Sequence, residues 1–288
     1  MMKLSVFLLM LLMGTCAAPL IVRNVALRGK ATQSNRYEHV FGSASNAIDG
    51  NRDNTFDSGS CSHTDEESNP WWRVDLLEPY IVTSVIISNR ETAVQKGLRG
   101  HRIYSLHTMT FTHRVEGRYV TVRIPGNGKV LTLCEVEVYG YHAPTENLAI
   151  QGKATQSSMY QAYDADRAID GGRASKWNGG SCSVTTWEKN PWWRLTLSKT
   201  HKVFSVKITN RNERHERLNG AEIHIGDSLV HNGAYNPRFA LITSIPAGQT
   251  AEFEVANGMD GRYVYIGIPG RKEYLTLCEV EVFGSALD

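Results

Sequence analysis

The stretch Ser60-Cys61-Ser62-His63 puts two hydroxyls, a thiol and an imidazole side by side, with Asn69-Pro70-Trp71-Trp72-Arg73 close behind. The frame returns 121 residues later as Ser181-Cys182-Ser183-Val184 and Asn190-Pro191-Trp192-Trp193-Arg194. One reactive group is lost on the way, because Val184 stands where the first copy has His63. A neutral imidazole supplies a hydrogen-bond donor and an acceptor, and valine supplies neither. The exchange therefore raises the question whether two copies of one binding unit both still bind. The paired tryptophans read as core rather than site, with one ring of each pair facing inward.

The cysteines set a second piece of chemistry. Cys61, Cys134, Cys182 and Cys278 remain once Cys16 is removed with the leader discussed below. Four cysteines in an oxidising compartment allow three pairings. Equivalent cysteines should pair within their own copy, which selects Cys61–Cys134 and Cys182–Cys278. The first bridge would bring Ser60 beside Glu135, near the acidic turn Asp49-Gly50-Asn51. Two carboxylates with hydroxyl and carbonyl oxygens suit a hard cation such as Ca2+. Glycoside hydrolysis would need two carboxylates facing each other across a cleft. No such pair stands out, and no enzymatic activity is expected.

The elements that must position these groups are strands. Trp72, Val74 and Leu76 alternate with Arg73 and Asp75, as in a half-buried strand. Residues 81–87 are rich in β-branched types, and Val120, Val122 and Ile124 alternate with polar neighbours. Around Cys134 the alternation changes phase, which predicts a bulge or strand break. No long helical period is present. Short strands separated by Gly, Pro and Asn predict an all-β protein of sandwich or jelly-roll type.

The duplication is extensive. Asn24-Val25-Ala26 to Ala31-Thr32-Gln33-Ser34 matches Asn147-Leu148-Ala149 to Ala154-Thr155-Gln156-Ser157. Ala47-Ile48-Asp49-Gly50 matches Ala168-Ile169-Asp170-Gly171, and Leu131-Thr132-Leu133-Cys134-Glu135 matches Leu275-Thr276-Leu277-Cys278-Glu279. The copies are unequal: 51 positions separate Arg211 from Arg262, but 28 separate Arg90 from Arg118, a difference of 23. The first copy is expected to lack about two strands, matching roughly residues 225–251, and to expose a sheet edge. Its remnant, residues 101–115, shows no strand alternation.

Composition is ordinary for a globular chain, with 288 residues, 41% apolar, 21% charged and a formal charge of +2. The scattered Lys and Arg give no basic face for nucleic acid. Lys3, an apolar run over residues 4–13 and then Gly14-Thr15-Cys16-Ala17-Ala18 form the pattern of a secretory signal peptide. The run is too short to span a bilayer, which takes about 20 residues. The expected organisation is a signal peptide over 1–18, a shortened domain over 19–141, a linker over 142–146 and a second domain over 147–288. No transmembrane segment and a secreted, extracellular product are expected.

Taken together, Ala-Thr-Gln-Ser, Ala-Ile-Asp-Gly, Gly-Ser-Cys, Asn-Pro-Trp-Trp-Arg, Gly-Arg-Tyr-Val and Leu-Thr-Leu-Cys-Glu-Val-Glu-Val resemble the F-type lectins, or fucolectins. The resemblance covers about 24–140 and 147–284. It implies tandem discoidin-like jelly rolls that bind terminal L-fucose on microbial or host glycans, in innate immunity. Its sugar motif is a His, 26 residues, Arg-x-Asp, four residues and a basic residue. His63 and Arg90 keep that spacing, while Thr92 takes the Asp position and Gly97 the basic one, with Arg99 two residues on. In the second copy Val184 replaces the His, Arg211 stays, Glu213 takes the Asp position, and Arg217 comes one residue early. Arginine offers a planar fork of donors that can bridge neighbouring hydroxyls. Phe56 and Trp177 are candidates to cover the sugar's apolar face. The resemblance also implies a structural Ca2+ in each domain. The first set is Asn46, Asp49, Asn51, Ser60, Cys134 and Glu135; the second is Arg167, Asp170, Gly172, Ser181, Cys278 and Glu279, several through backbone oxygen. Weak single sites imply avidity from two domains or from a homo-oligomer. The alternative is a degenerate paralogue without fucose binding, used for protein or membrane adhesion. Membrane adhesion would need exposed apolar loop tips, and no such pair stands out in the sequence.

Overall fold

The computed structural model describes residues 22–37, 41–55, 58–90, 106–176 and 179–287. The expected leader, Phe56, Trp177 and the stretch holding Thr92, Gly97 and Arg99 lie outside the described residues. Among those described, regular structure is strand, with 3-10 turns such as Ala44–Ile48 and Ala165–Ile169. No helix there is long and apolar enough to cross a membrane.

The first sandwich is built on β1 (Lys30–Gln33), β2 (Ser62–His63), β3 (Trp71–Ser88), β4 (Leu106–Arg123), β5 (Thr132–Leu133) and β6 (Glu135–His142). β3 is the hub. β4 pairs antiparallel along one edge, and β1 and β6 share the other. The short β2–β5 ladder lies outside this sheet. The alternation read in β3 holds, since Trp72, Val74 and Leu76 are buried. Trp72 packs in the core and its Nε1 donates to the Ala44 carbonyl at 3.0 Å. The phase change falls at Cys134, which separates β5 from β6.

The second sandwich repeats this plan with β7 (Lys153–Gln156), β8 (Ser183–Val184), β9 (Glu188–Lys189), β10 (Trp192–Thr209), β11 (Ala221–Gly226), β12 (Arg238–Ile242), β13 (Thr250–Gly267), β14 (Lys272–Glu273), β15 (Thr276–Leu277) and β16 (Glu279–Ala286). Its main sheet runs β12-β11-β13-β10-β16, with β7 also on β10. β11 lies along Tyr263–Gly267 of β13 and, with β12, closes the core. Val264, Ile266 and Ile268 are consequently buried there. Their counterparts Val120, Val122 and Ile124 are only half-buried, because no strand flanks Tyr119–Arg123 of β4 among the described residues. The first domain is thus the shortened one.

Two expectations need correction. Residues 106–115 are strand, forming the first half of β4 opposite Val82–Ser88. They show no alternation in the sequence because neither face is buried, most of them being exposed on both sides. The missing length therefore falls between the counterparts of β10 and β13, residues 210–249 of the second copy, so the expected 225–251 lies only a few residues late. The second correction concerns loop tips. Leu229 and Val230, 51% and 56% exposed, form an apolar tip beyond β11.

Both disulfides pair within their own copy, Cys61–Cys134 and Cys182–Cys278. The domains touch through Tyr141, Ile81, Ala143 and the buried Phe204. Lys202 Nζ lies 5.1 Å from the Tyr141 ring centroid, and Arg114 pairs with Glu254 at 2.8 Å.

Candidate functional site

The arginines singled out in the second copy sit where β10 ends. Asn210 fastens the following turn: its side-chain amide donates to the carbonyls of His215 (3.0 Å) and Ile245 (2.9 Å). Its Oδ1 accepts from the Arg211 backbone N–H at 2.9 Å. Arg211 is only 4% exposed. Burial lowers its guanidinium below the ordinary arginine value. Arg217 is the next cause, a second cation near enough to act on it, while Glu213 and Glu216 oppose the shift. Glu213 itself is exposed.

Arg217 lies on the 3-10 turn His215–Leu218, which buried Leu218 anchors. The turn starts from Arg214 in the left-handed region, at φ 48°. Arg217 Cζ stands 4.8 Å from the centroid of the Tyr274 ring, and its Nε is 3.4 Å from Glu273 Oε1. Arg271 Nη2 donates to the carbonyls of Arg217 (2.8 Å) and Asn219 (2.7 Å), fixing the turn from behind. A cleft of about 390 Å³ opens here, lined by Trp187, Arg214, Glu216, Arg217, Arg271 and Glu273 among others.

Val184 is buried on β8. Its carbonyl accepts from the Tyr160 N–H at 2.9 Å and from Gln156 Nε2 at 3.1 Å. The His63 carbonyl accepts in the same way from the Tyr37 N–H (3.1 Å) and Gln33 Nε2 (2.9 Å). The backbone frame is thus unchanged and only the side chain differs. The His63 ring lies 5.0 Å from Tyr37, with Nδ1 2.6 Å from the Thr64 carbonyl. Arg90 follows β3, its N–H donating to Asn89 Oδ1 at 2.8 Å. The loop that would bring Arg99 to it lies outside the described residues.

The acidic turns form as the bridges suggest. Gly50 N–H donates to Glu135 Oε1 (3.2 Å), and Gly171 N–H to Glu279 Oε1 (3.1 Å). The other oxygen of each, Glu135 Oε2 and Glu279 Oε2, is buried without a hydrogen-bond partner. Burial first, then the Asp49 charge, pushes Glu135 up to about 7. Glu279 is pushed up to about 8, mainly by burial, with Asp170 adding to it. Asp49 and Asp170 accept from Asn51 and Gly172 backbone N–H groups, each at 2.8 Å. Ser60 and Ser181 hydroxyls donate to the carbonyls of Thr55 (3.0 Å) and Lys176 (3.1 Å). Asn46 Nδ2 donates to the carbonyls of Phe41 (2.7 Å) and Gly59 (2.9 Å). Arg167 takes over this strut, bonding the carbonyls of Ala162 and Gly180. Among the described residues no three His, Cys, Asp or Glu side chains converge as a metal cluster. Glu135 and Glu279 each keep one buried oxygen without a hydrogen-bond partner, near enough to Asp49 or Asp170 to feel its charge, and a carboxylate pair of this kind fits a hard cation.

Trp187, Arg271, Glu273 and Tyr274 escaped the sequence reading. Comparing the copies at these positions would have found them, since the first has Glu66, Asn127, Lys129 and Val130 there.

A family model described as a NedA-like, galactose-binding domain matches residues 46–106 and 167–266. Fucolectin-5 of Anguilla japonica is 46% identical over 143 residues, 48% of this chain and 75% of that protein. The fucolectin of Anguilla anguilla is 44% identical over the same length, 48% of this chain and 90% of its own. The crystal structure of an F-lectin (fucolectin) from striped bass, Morone saxatilis, serum is 59% identical. It covers 92% of this chain and 99% of its own, with a TM-score of 0.71.

Proposed function

This chain belongs to the F-type lectins, and from that premise we propose that it is a secreted, non-catalytic binder of terminal L-fucose acting in innate immune recognition. We place the principal site in the second domain, at Arg211 and Arg217. The observation that carries this is the pairing of two arginines at one end of the sheet. One is desolvated beneath the turn, and the other has its Cζ 4.8 Å from the Tyr274 ring centroid. A guanidinium fork shed of water donates strongly to a pair of sugar oxygens, and a fixed geometry loses little entropy on binding. Val184 leaves this site without an imidazole, so the arginines carry more of the recognition here. His63 and Arg90 would form the weaker, first-domain site.

Each domain would hold one Ca2+, through Asp49 and Glu135 or Asp170 and Glu279 with nearby carbonyls. Its part is to neutralise buried carboxylates and fix the loops beside the site.

Calorimetric titration of the full chain with methyl α-L-fucoside tests the assignment. Arg211→Ala should weaken binding by about ten- to a hundredfold, the range for losing hydrogen bonds from a charged donor. An unchanged isotherm, with the fold verified by circular dichroism, would remove Arg211 from the site. The other reading is an adhesion module without fucose binding. Val184 and the exposed Leu229–Val230 tip favour it, and a wild-type chain that binds no fucoside would establish the need for it.

A further inference from the structure

We propose that the unflanked end of β4 is a self-association edge, on which residues 119–123 of a second copy of this chain pair antiparallel. The inference concerns the first domain and does not depend on the sugar reading. The second domain shows what such an edge requires. There β11 runs antiparallel along the equivalent stretch of β13, with Ile223 opposite Ile266 and Ile225 opposite Val264. All four are fully buried. In the first domain Val120 and Val122 hold the places of Val264 and Ile266 and stay half-buried. Among the described residues no strand pairs with their outer edge. Tyr119 beside them is 55% exposed. Proteins guard free edges with Pro, bulges or inward-pointing charges. Residues 119–123 read Tyr-Val-Thr-Val-Arg and pair with β3 without a register shift. Their one charge, Arg123, alternates away from the core-facing valines.

The stretch is complementary to itself. The faces of two such sheets match only when a residue, and not a peptide bond, lies on the two-fold axis. With Thr121 on that axis, β3 and β4 of one copy continue into β4 and β3 of the other. The inner rows then read Trp72 and Val122, followed by Val120 and Val74 of the second copy, apolar throughout. The outer rows read Asp75 and Tyr119, followed by Arg123 and Trp71 of the second copy. Each Arg123 guanidinium lies between two aromatic rings, with a carboxylate at the end of the row. No like charges face one another. Moving the axis back to Val120 would set Arg118 opposite Val122. Moving it forward to Val122 would set Tyr119 opposite Pro125, which has no N–H for the ladder. The first half of β4 is engaged elsewhere, since Arg114 reaches Glu254 of the second domain. A ladder this short makes a weak dimer that depends on concentration. The dimer doubles the number of second domains on one particle and so raises avidity.

Sedimentation velocity of the full chain tests this. Its sedimentation coefficient should rise with concentration from the monomer value toward that of a dimer. Arg123→Glu removes the cation from both outer rows and should weaken the dimer about tenfold. Thr121→Cys sets a thiol opposite its own copy, within disulfide reach in an antiparallel pair. Mild oxidation should therefore cross-link Thr121→Cys into dimers and leave Thr110→Cys, exposed in the first half of β4, largely monomeric. Hydrogen exchange at the amides of residues 119–123 should slow as concentration rises. A wild type that stays monomeric at every concentration would overturn the proposal. An oligomer that Arg123→Glu leaves unchanged would do the same, as would equal cross-linking of the two cysteine variants. Slow exchange at 119–123 in a monomer would assign the edge to another segment of the same chain instead.

Discussion

At the scale of single residues, the duplicated frame isolates what each side chain contributes. His63 and Val184 hang from the same backbone hydrogen bonds, so their exchange changes the side chain on offer while leaving the scaffold intact. Glu135 and Glu279 make a sharper prediction. Without a bound cation their carboxyls hold protons up to about 7 and about 8 in the folded chain. In the unfolded chain they ionise near 4.3. Between these values the folded state binds more protons, so stability falls as pH rises. Chelated protein should melt at a higher temperature at pH 5.5 than at pH 8. Ca2+ needs the ionised form, so the melting temperature it restores should be larger at pH 8. A melt at pH 8 unmoved by EDTA would contradict the calcium assignment.

At the scale of elements, β11 and β12 separate the two domains. They turn β13 into an interior strand, whereas β4 keeps an unflanked edge among the described residues. Ile266→Ala should cost about 2–5 kcal/mol, the range for a fully buried aliphatic residue. Val122→Ala, at the half-buried counterpart, should cost under about 1 kcal/mol. Denaturant titration of the two variants compares them, and similar losses would mean that both cores are equally closed. Much of this was legible in the sequence. Alternation at Trp72, Val74 and Leu76 gave the hub strand because one of its faces is buried. Residues 106–115 were not legible because a strand exposed on both faces carries no period. The cleft was missed for a related reason. Trp187 is far from Arg271 and Tyr274 in the chain, and the pairing of β9 with β14 brings them to one place, where the 215–218 turn docks. Arg211 and Arg217 were singled out through a recognised motif, from whose spacing Arg217 departs by one residue, and the disulfides were found through the repeat itself.

At the scale of the whole molecule, the chain is two unlike domains held together. The domains meet through Tyr141 and Phe204 and through the Arg114–Glu254 pair. Linked sites raise avidity when both can engage one surface. That gain depends on how strongly the first domain binds; it keeps His63, and the residues matching the turn that carries Arg217 lie outside the described ones. Calorimetric melting should show the first domain unfolding before the second, because its core is less closed. A single transition would mean that the contact between domains couples them fully.

The central claim is that the second domain carries the principal fucose site. It is tested most directly by titrating methyl α-L-fucoside into the wild-type chain, Arg90→Ala and Arg211→Ala, each with its fold verified. The account predicts that Arg90→Ala keeps the tighter binding event and Arg211→Ala loses it. The reverse pattern, with Arg211→Ala unaffected and Arg90→Ala unable to bind, would contradict it.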